Sequence, residues 1–159
     1  MKFDLVFEEI FPRPIETVWR ALIDGAALAS WLMPNDFVAQ IGHRFCLRSP
    51  AIPGWRGRAE CQVLEMDPPR RMVWSWLSMD MGEPTTLTFE LSTVPAGTRL
   101  RLRHAGDTDP TMVDLIRTRW PVKLRDLRGF LEPVTPRPAP ADGWEERQVP
   151  PKSIAGREA

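Results

Sequence analysis

The chain has 159 residues, 43% of them hydrophobic and 26% charged, with 21 basic and 21 acidic side chains. That length suits one domain with a core of its own, and a formal net charge of zero argues against the electrostatic footprint of a nucleic-acid or anionic-membrane binder. No apolar run approaches the roughly 18 residues of a membrane span, and MKFDLVFEEIF carries acids where a signal peptide would be purely apolar, so a cytoplasmic location is expected.

Residues 3–10 (FDLVFEEI) alternate as a strand, with Phe3, Leu5 and Phe7 on one face. PRPIETVWRALIDG then switches to helical spacing: Pro14 starts it, Glu16 lies in the first turn, and Ile15, Val18, Trp19, Leu22 and Ile23 share a face. Asp24-Gly25 is read as its end, with Gly25 as a left-handed cap. AALASWLM makes a second short helix, stopped by Pro34. The pair superficially matches a DNA-reading helix-turn-helix, but no basic recognition face follows it.

From Phe37 to Gly106 the period is two. FVAQI and HRFCLR are expected as strands on either side of Gly42, followed by a Pro- and Gly-rich loop, SPAIPGW. GRAECQVLEM, RMVWSWLS, TLTFELSTV and TRLRLRHAG are the next four, each joined to the following one by a short turn or loop. Such a run is an antiparallel meander rather than a series of strand–helix–strand units. Within it Ala59, Cys61 and Val63 point inward, Trp74 shares a face with Trp76, and Phe45 shares one with Leu47. His104 is in phase with the inward Leu100 and Leu102, while Arg99, Arg101 and Arg103 point to water. Those arginines, with Arg56, Arg58, Arg70 and Arg71, read as a solvated sheet face that Glu60, Glu65 and Glu90 can neutralise across strands. Alternation puts Cys46 outward and Cys61 inward, so the two cysteines make neither a disulfide nor a metal site.

The last periodic segment, DPTMVDLIRTRWPVKLRDLRGFLE, spans 109–132. Val113, Ile116, Trp120, Leu124, Leu127 and Leu131 form one apolar stripe, Asp109 is the expected N-cap, and Pro110 takes the first helical position. Pro121 predicts a kink or a break. Residues 133–159 are proline-rich and without period, and read as an extended tail unless Trp144 docks it. The expected division is therefore a folded domain over 1–132 and a C-terminal tail over 133–159.

The segments FPRPIETVWRALID, ASWLMP, QVLEMDPPRRMVWSW, GTRLRLRHAG and RWPVKLRDLRGFLE, in this order and spacing, resemble bacterial homologues of the heat-shock protein 90 ATPase activator, within the START-like (SRPBCC) superfamily. The resemblance covers about residues 3–132. It implies an α+β helix-grip fold: a curved antiparallel sheet of about six to seven strands wrapped around a long C-terminal helix, with two short helices after the first strand. It also implies a hydrophobic cavity between sheet and helix, used across the superfamily for lipids, polyketides and other apolar molecules, and in a minority of members for cyclase, aromatase or hydrolase chemistry. The chaperone-binding domain of the eukaryotic co-chaperone is a separate N-terminal unit that the resemblance leaves out.

Seven tryptophans and no tyrosine supply large apolar walls with a single donor each. Trp31, Trp55, Trp74, Trp76 and Trp120, with Met33, Phe45, Leu124 and His104, are the expected ligand-binding set; the alternative is that these side chains fill the interior. General-base work by His104 would need a carboxylate or hydroxyl partner, and Thr88 and Glu90 are read as facing outward, so a bond to a backbone carbonyl is the expectation. No nucleophile elbow, phosphate loop or metal-ligand spacing is present, and neither a cofactor nor a metal is expected. The function read from the sequence is binding of a small apolar or aromatic molecule, with no nucleic-acid or membrane partner. A surface-mediated protein interaction, a co-chaperone-like role, a homodimer through the tail, and an enzyme using His104, Asp36 or Asp80 stay open.

Overall fold

The computed structural model describes residues 1–53, 55–78 and 82–132. Asp80, Trp144 and the proposed tail over 133–159 therefore lie outside the described residues. The elements run β1 (Lys2–Phe11), α1 (Ile15–Ile23), α2 (Gly25–Trp31), β2 (Arg44–Arg48), β3 (Arg58–Asp67), β4 (Arg71–Ser78), β5 (Thr85–Val94), β6 (Gly97–Asp107) and α3 (Pro110–Leu131). The strands form one curved antiparallel sheet in the order β1-β6-β5-β4-β3-β2, so the first strand closes onto the last and the rest is a meander. This is the helix-grip arrangement, with α3 packed along β1, α1 and α2.

Side-chain alternation sorts the two faces of the sheet. Ala59, Cys61, Val63, Met72, Trp74, Leu87, Phe89, Leu100 and Leu102 are buried on the inner face. The α3 stripe of Val113, Ile116, Trp120, Leu124, Leu127 and Leu131 closes over them, joined by Met112. On the outer face several arginines are matched with acids, mostly across strands. Arg103 holds Asp4 through two bonds of 2.8 and 2.6 Å, Arg71 bridges Glu65 and Glu90, Arg101 reaches Glu8, and Arg58 meets Glu60. These pairs neutralise part of the basic strip, although exposed pairs of this kind stabilise little individually.

Two local expectations are corrected, and the choice left open at Pro121 is narrowed. FVAQI is not a strand: residues 37–43 run as a loop, tied to β3 by the Gly42 N–H to Val63 carbonyl bond of 2.7 Å. Gly25 is not a left-handed cap but the first residue of α2, capped by the Asp24 carboxylate on the Ala27 N–H at 3.0 Å. A Cβ at Gly25 would lie 3.2 Å from Asn35 Oδ1, so close approach is what its small size serves. Pro121 does not break α3, which is continuous over 22 residues. Pro121 and Arg117, whose carbonyl loses its partner, both lie on the exposed side, where water can satisfy that oxygen.

Cys46 and Cys61 are both buried free thiols. Phe45 pairs with Cys61 and Cys46 with Glu60, so the thiols sit on opposite faces. Burial pushes the Cys61 thiol well above its ordinary pKa.

Candidate functional site

Sharing Ile116 and Trp120 with the core stripe, a second stripe of α3 at three- and four-residue spacing adds Met112, Leu115, Arg119 and Lys123. It forms one wall of a cleft of about 280 Å³. Trp76 and Ser78 of β4 with His104 of β6 form the opposite wall, and Leu32 and Met33, just beyond α2, close one end. The loop between β2 and β3 covers the other with Ser49, Pro50, Ile52 and Trp55. Ile52 and Trp55 exchange two backbone bonds of 2.9 Å, and the Ser49 N–H donates to the Gly57 carbonyl at 2.7 Å, which braces the loop at its neck. Gly57 has φ 84°, and a Cβ there would sit 2.1 Å from the Ser49 carbonyl oxygen, so only glycine closes this neck. The cavity is at the small end of ligand sites and mostly apolar, the setting in which a few placed polar groups orient a ligand.

His104 is fully buried at the floor and boxed by the rings of Phe3, Trp76 and Trp120, with centroids 5.5, 5.5 and 6.3 Å away. Its hydrogen bonds fix its chemistry. The Trp120 Nε1–H donates to Nδ1 at 3.1 Å, so Nδ1 carries no proton. The Thr85 hydroxyl donates to the Trp76 carbonyl at 3.0 Å and therefore accepts, at 2.7 Å, from His104 Nε2–H. The imidazole is neutral, in the Nε2–H tautomer, with both nitrogens engaged. Burial lowers its pKa to about 3, since a charge here has lost its water without gaining an acid. With no free lone pair, His104 offers a rigid wall and no general base in this arrangement.

The partner of His104 is thus a pair of side chains rather than the backbone carbonyl expected from the sequence. Thr85 escapes the sequence reading because the segment TLTFELSTV begins one residue later, at Thr86. The inward alternation of Leu91, Phe89 and Leu87 reaches Thr85 when carried one step upstream, and that residue is 2% exposed. Gly106 makes room for it: a Cβ there would lie 2.7 Å from Thr85 Cγ2.

Of the nine residues expected to bind ligand, Met33, Trp55, Trp76, His104 and Trp120 meet at the cleft. The other four are placed elsewhere. Trp31 is buried with its Nε1–H on the Ala21 carbonyl at 2.8 Å. Trp74 and Phe45 stack edge to face at 4.8 Å in an aromatic cluster with Phe37 and Phe89. Leu124 belongs to the core stripe. The Trp74 indole N–H has no hydrogen-bond partner among the described residues. The cleft residues that sequence reading passed over are Leu32, Ser78, the loop residues around Trp55 and the residues that join Trp120 in the second α3 stripe; the signal for the stripe was Met112, Leu115 and Ile116 at helical spacing.

Asp36 is not at the cleft: its carboxylate accepts from the Cys46 N–H at 2.6 Å on the sheet's outer side, where it lines a separate groove with Arg44 and Arg48. Among the described residues no cluster of three or more His, Cys, Asp or Glu side chains has metal-binding geometry, and no helix is long and apolar enough to cross a membrane.

A family model described as Activator of Hsp90 ATPase homolog 1-like protein matches residues 12–132. Among solved structures, protein MLL2253 from Mesorhizobium loti is 29% identical with a TM-score of 0.72, over 81% of this chain and 96% of that one. Protein BH1534 from Bacillus halodurans is 29% identical with a TM-score of 0.67, over 82% and 99%. CalU16 from Micromonospora echinospora is 25% identical with a TM-score of 0.67, over 83% and 78%. The search of curated proteins found no match.

Proposed function

The chain belongs to the Activator of Hsp90 ATPase homolog 1-like family, and from that premise we propose that its START-like domain, residues 1–132, binds a small apolar or aromatic molecule in the cleft between α3 and the sheet. The observation that carries this reading is the cleft itself. Trp55, Trp76 and Trp120 come from a loop, a strand and a helix, and they converge on about 280 Å³ of space that no side chain fills. A core built only for stability closes such a void, because each lost contact weakens it. Three indoles present flat apolar surfaces, which suit a molecule of one or two rings.

The test is native mass spectrometry of freshly purified protein, followed by extraction and identification of what is bound. A stoichiometric apolar ligand is the expected result. A clean unliganded mass, with no tryptophan-fluorescence response to a panel of lipids and aromatics, would overturn the reading. It would favour a surface-mediated role, for which Val38, Ile41 and Leu64 are among the exposed apolar groups.

A further inference from the structure

The charges around the cleft are one-sided. Arg119 and Lys123 both line it, and no carboxylate does among the described residues. They stand four residues apart on α3, where like charges repel and cost helix stability. Elsewhere Arg58, Arg71, Arg101, Arg103, Arg117 and Arg128 each have an acidic partner within 4.0 Å, and arginines without one among the described residues, such as Arg44, Arg99 and Arg125, do not line this cleft. Arg119 and Lys123 have no such ion pair among the described residues. The acid nearest to Lys123 in sequence is Asp126, one turn on, and the acid nearest to Arg119 is Asp114; neither lines the cleft. Lys123 is half-buried, and burial, followed by the Arg119 charge, lowers its pKa. An apolar chamber lined by two cations and, among the described residues, by no counter-charge is complementary to a molecule with an apolar body and an anionic end.

We propose that the ligand of this cleft is an amphipathic carboxylic acid, its one- or two-ring body among Trp55, Trp76 and Trp120 and its carboxylate between Arg119 and Lys123. The planar guanidinium of Arg119 can take both carboxylate oxygens, and Lys123 adds a point charge. The ligand anion also offsets the repulsion between the two cations, so binding and helix stability reinforce each other. This inference rests on the cleft being the binding site, as proposed above.

The experiment compares naphthylacetate with its methyl ester by titration calorimetry on the full chain, and repeats both with the double variant Arg119→Gln/Lys123→Gln. In the unaltered protein the acid is expected to bind about tenfold tighter than the ester, and added salt to shrink that ratio. In the double variant the ratio is expected to fall to about one. Equal affinities in the unaltered protein, or an acid preference that survives in the variant, would overturn the carboxylate inference while leaving the apolar cleft standing. Failure of both probes to bind would overturn the cleft reading and this inference with it. Thermal unfolding of the variant serves as the folding control, since both positions lie outside the core stripe.

Discussion

The Trp120 indole donates its Nε1–H to Nδ1 of His104 at 3.1 Å, joining α3 to β6 across the floor of the cleft. This bond decides which imidazole nitrogen holds the proton, and the Thr85 hydroxyl receives that proton's bond on the other side. A ligand in the cleft therefore meets a floor whose polar atoms are already satisfied.

Trp120→Phe keeps most of the ring but strands Nδ1 as a buried acceptor. The expected cost is about 1–3 kcal/mol in urea unfolding. Nitrogen NMR of the unaltered protein should show His104 as the Nε2–H tautomer, and the variant should lose the downfield indole N–H signal. An Nδ1–H tautomer would contradict the network.

The folded pKa of His104, about 3, lies below its ordinary value of 6.5. Between those values the unfolded chain binds a proton that the folded protein refuses, so stability is complete above 6.5 and declines as the pH falls toward 3. By about pH 4.5 the loss attributable to this residue is at most roughly 2–3 kcal/mol. Denaturant unfolding of the unaltered protein and of His104→Gln checks it: the acid-side slope should be shallower in the variant.

Gly106→Ala places a methyl 2.7 Å from Thr85 Cγ2, so Thr85 must move and the His104 bond must lengthen. A loss of about 1–3 kcal/mol is expected, as for other overpacked sites. Thr85→Ser removes the opposing methyl and keeps the hydroxyl. Adding it to Gly106→Ala should recover part of the loss, a non-additivity that a double-mutant cycle reads directly.

Trp31 and Trp74 are both nearly inaccessible, but only the Trp31 N–H is bonded among the described residues. Replacement by Phe should thus cost about 1 kcal/mol more at Trp31 than at Trp74, from the hydrogen bond alone. Equal losses would mean that the Trp74 N–H has a partner of similar strength.

Leu115→Trp grows a half-buried side chain of α3 into the cleft. Binding of naphthylacetate, followed by calorimetry, should weaken by about tenfold or more while the unfolding midpoint changes little. Undiminished affinity would place the probe elsewhere.

Much of the architecture is legible in the order of residues. The helical stripe from Val113 to Leu131 and the alternation of TRLRLRH each assign a face by period alone, because side-chain direction repeats locally along a helix or a strand. The departures are local as well. FVAQI has strand composition, yet residues 37–43 run as a loop. Gly25 has the look of a cap, although Asp24 turns the chain there without a positive φ.

By itself, then, the sequence determined the sheet-and-helix plan, the inward phase of His104 and the family to which the chain belongs, since these follow from periodicity and motif order. Only the tertiary structure decided which tryptophans meet. Trp74 and Trp76 share a sheet face, yet Trp74 is enclosed by Phe37, Phe45 and Phe89 while Trp76 opens on the cleft with Trp120. Period two assigns a residue to a face but not to a place along a curved sheet. That place depends on where α3 and the β2–β3 loop come to rest, and those contacts lie far apart in the chain. The same holds for His104. Its phase is local, but its tautomer is set by Thr85, 19 residues away, and Trp120, 16 residues away, which meet only when the helix closes on the sheet.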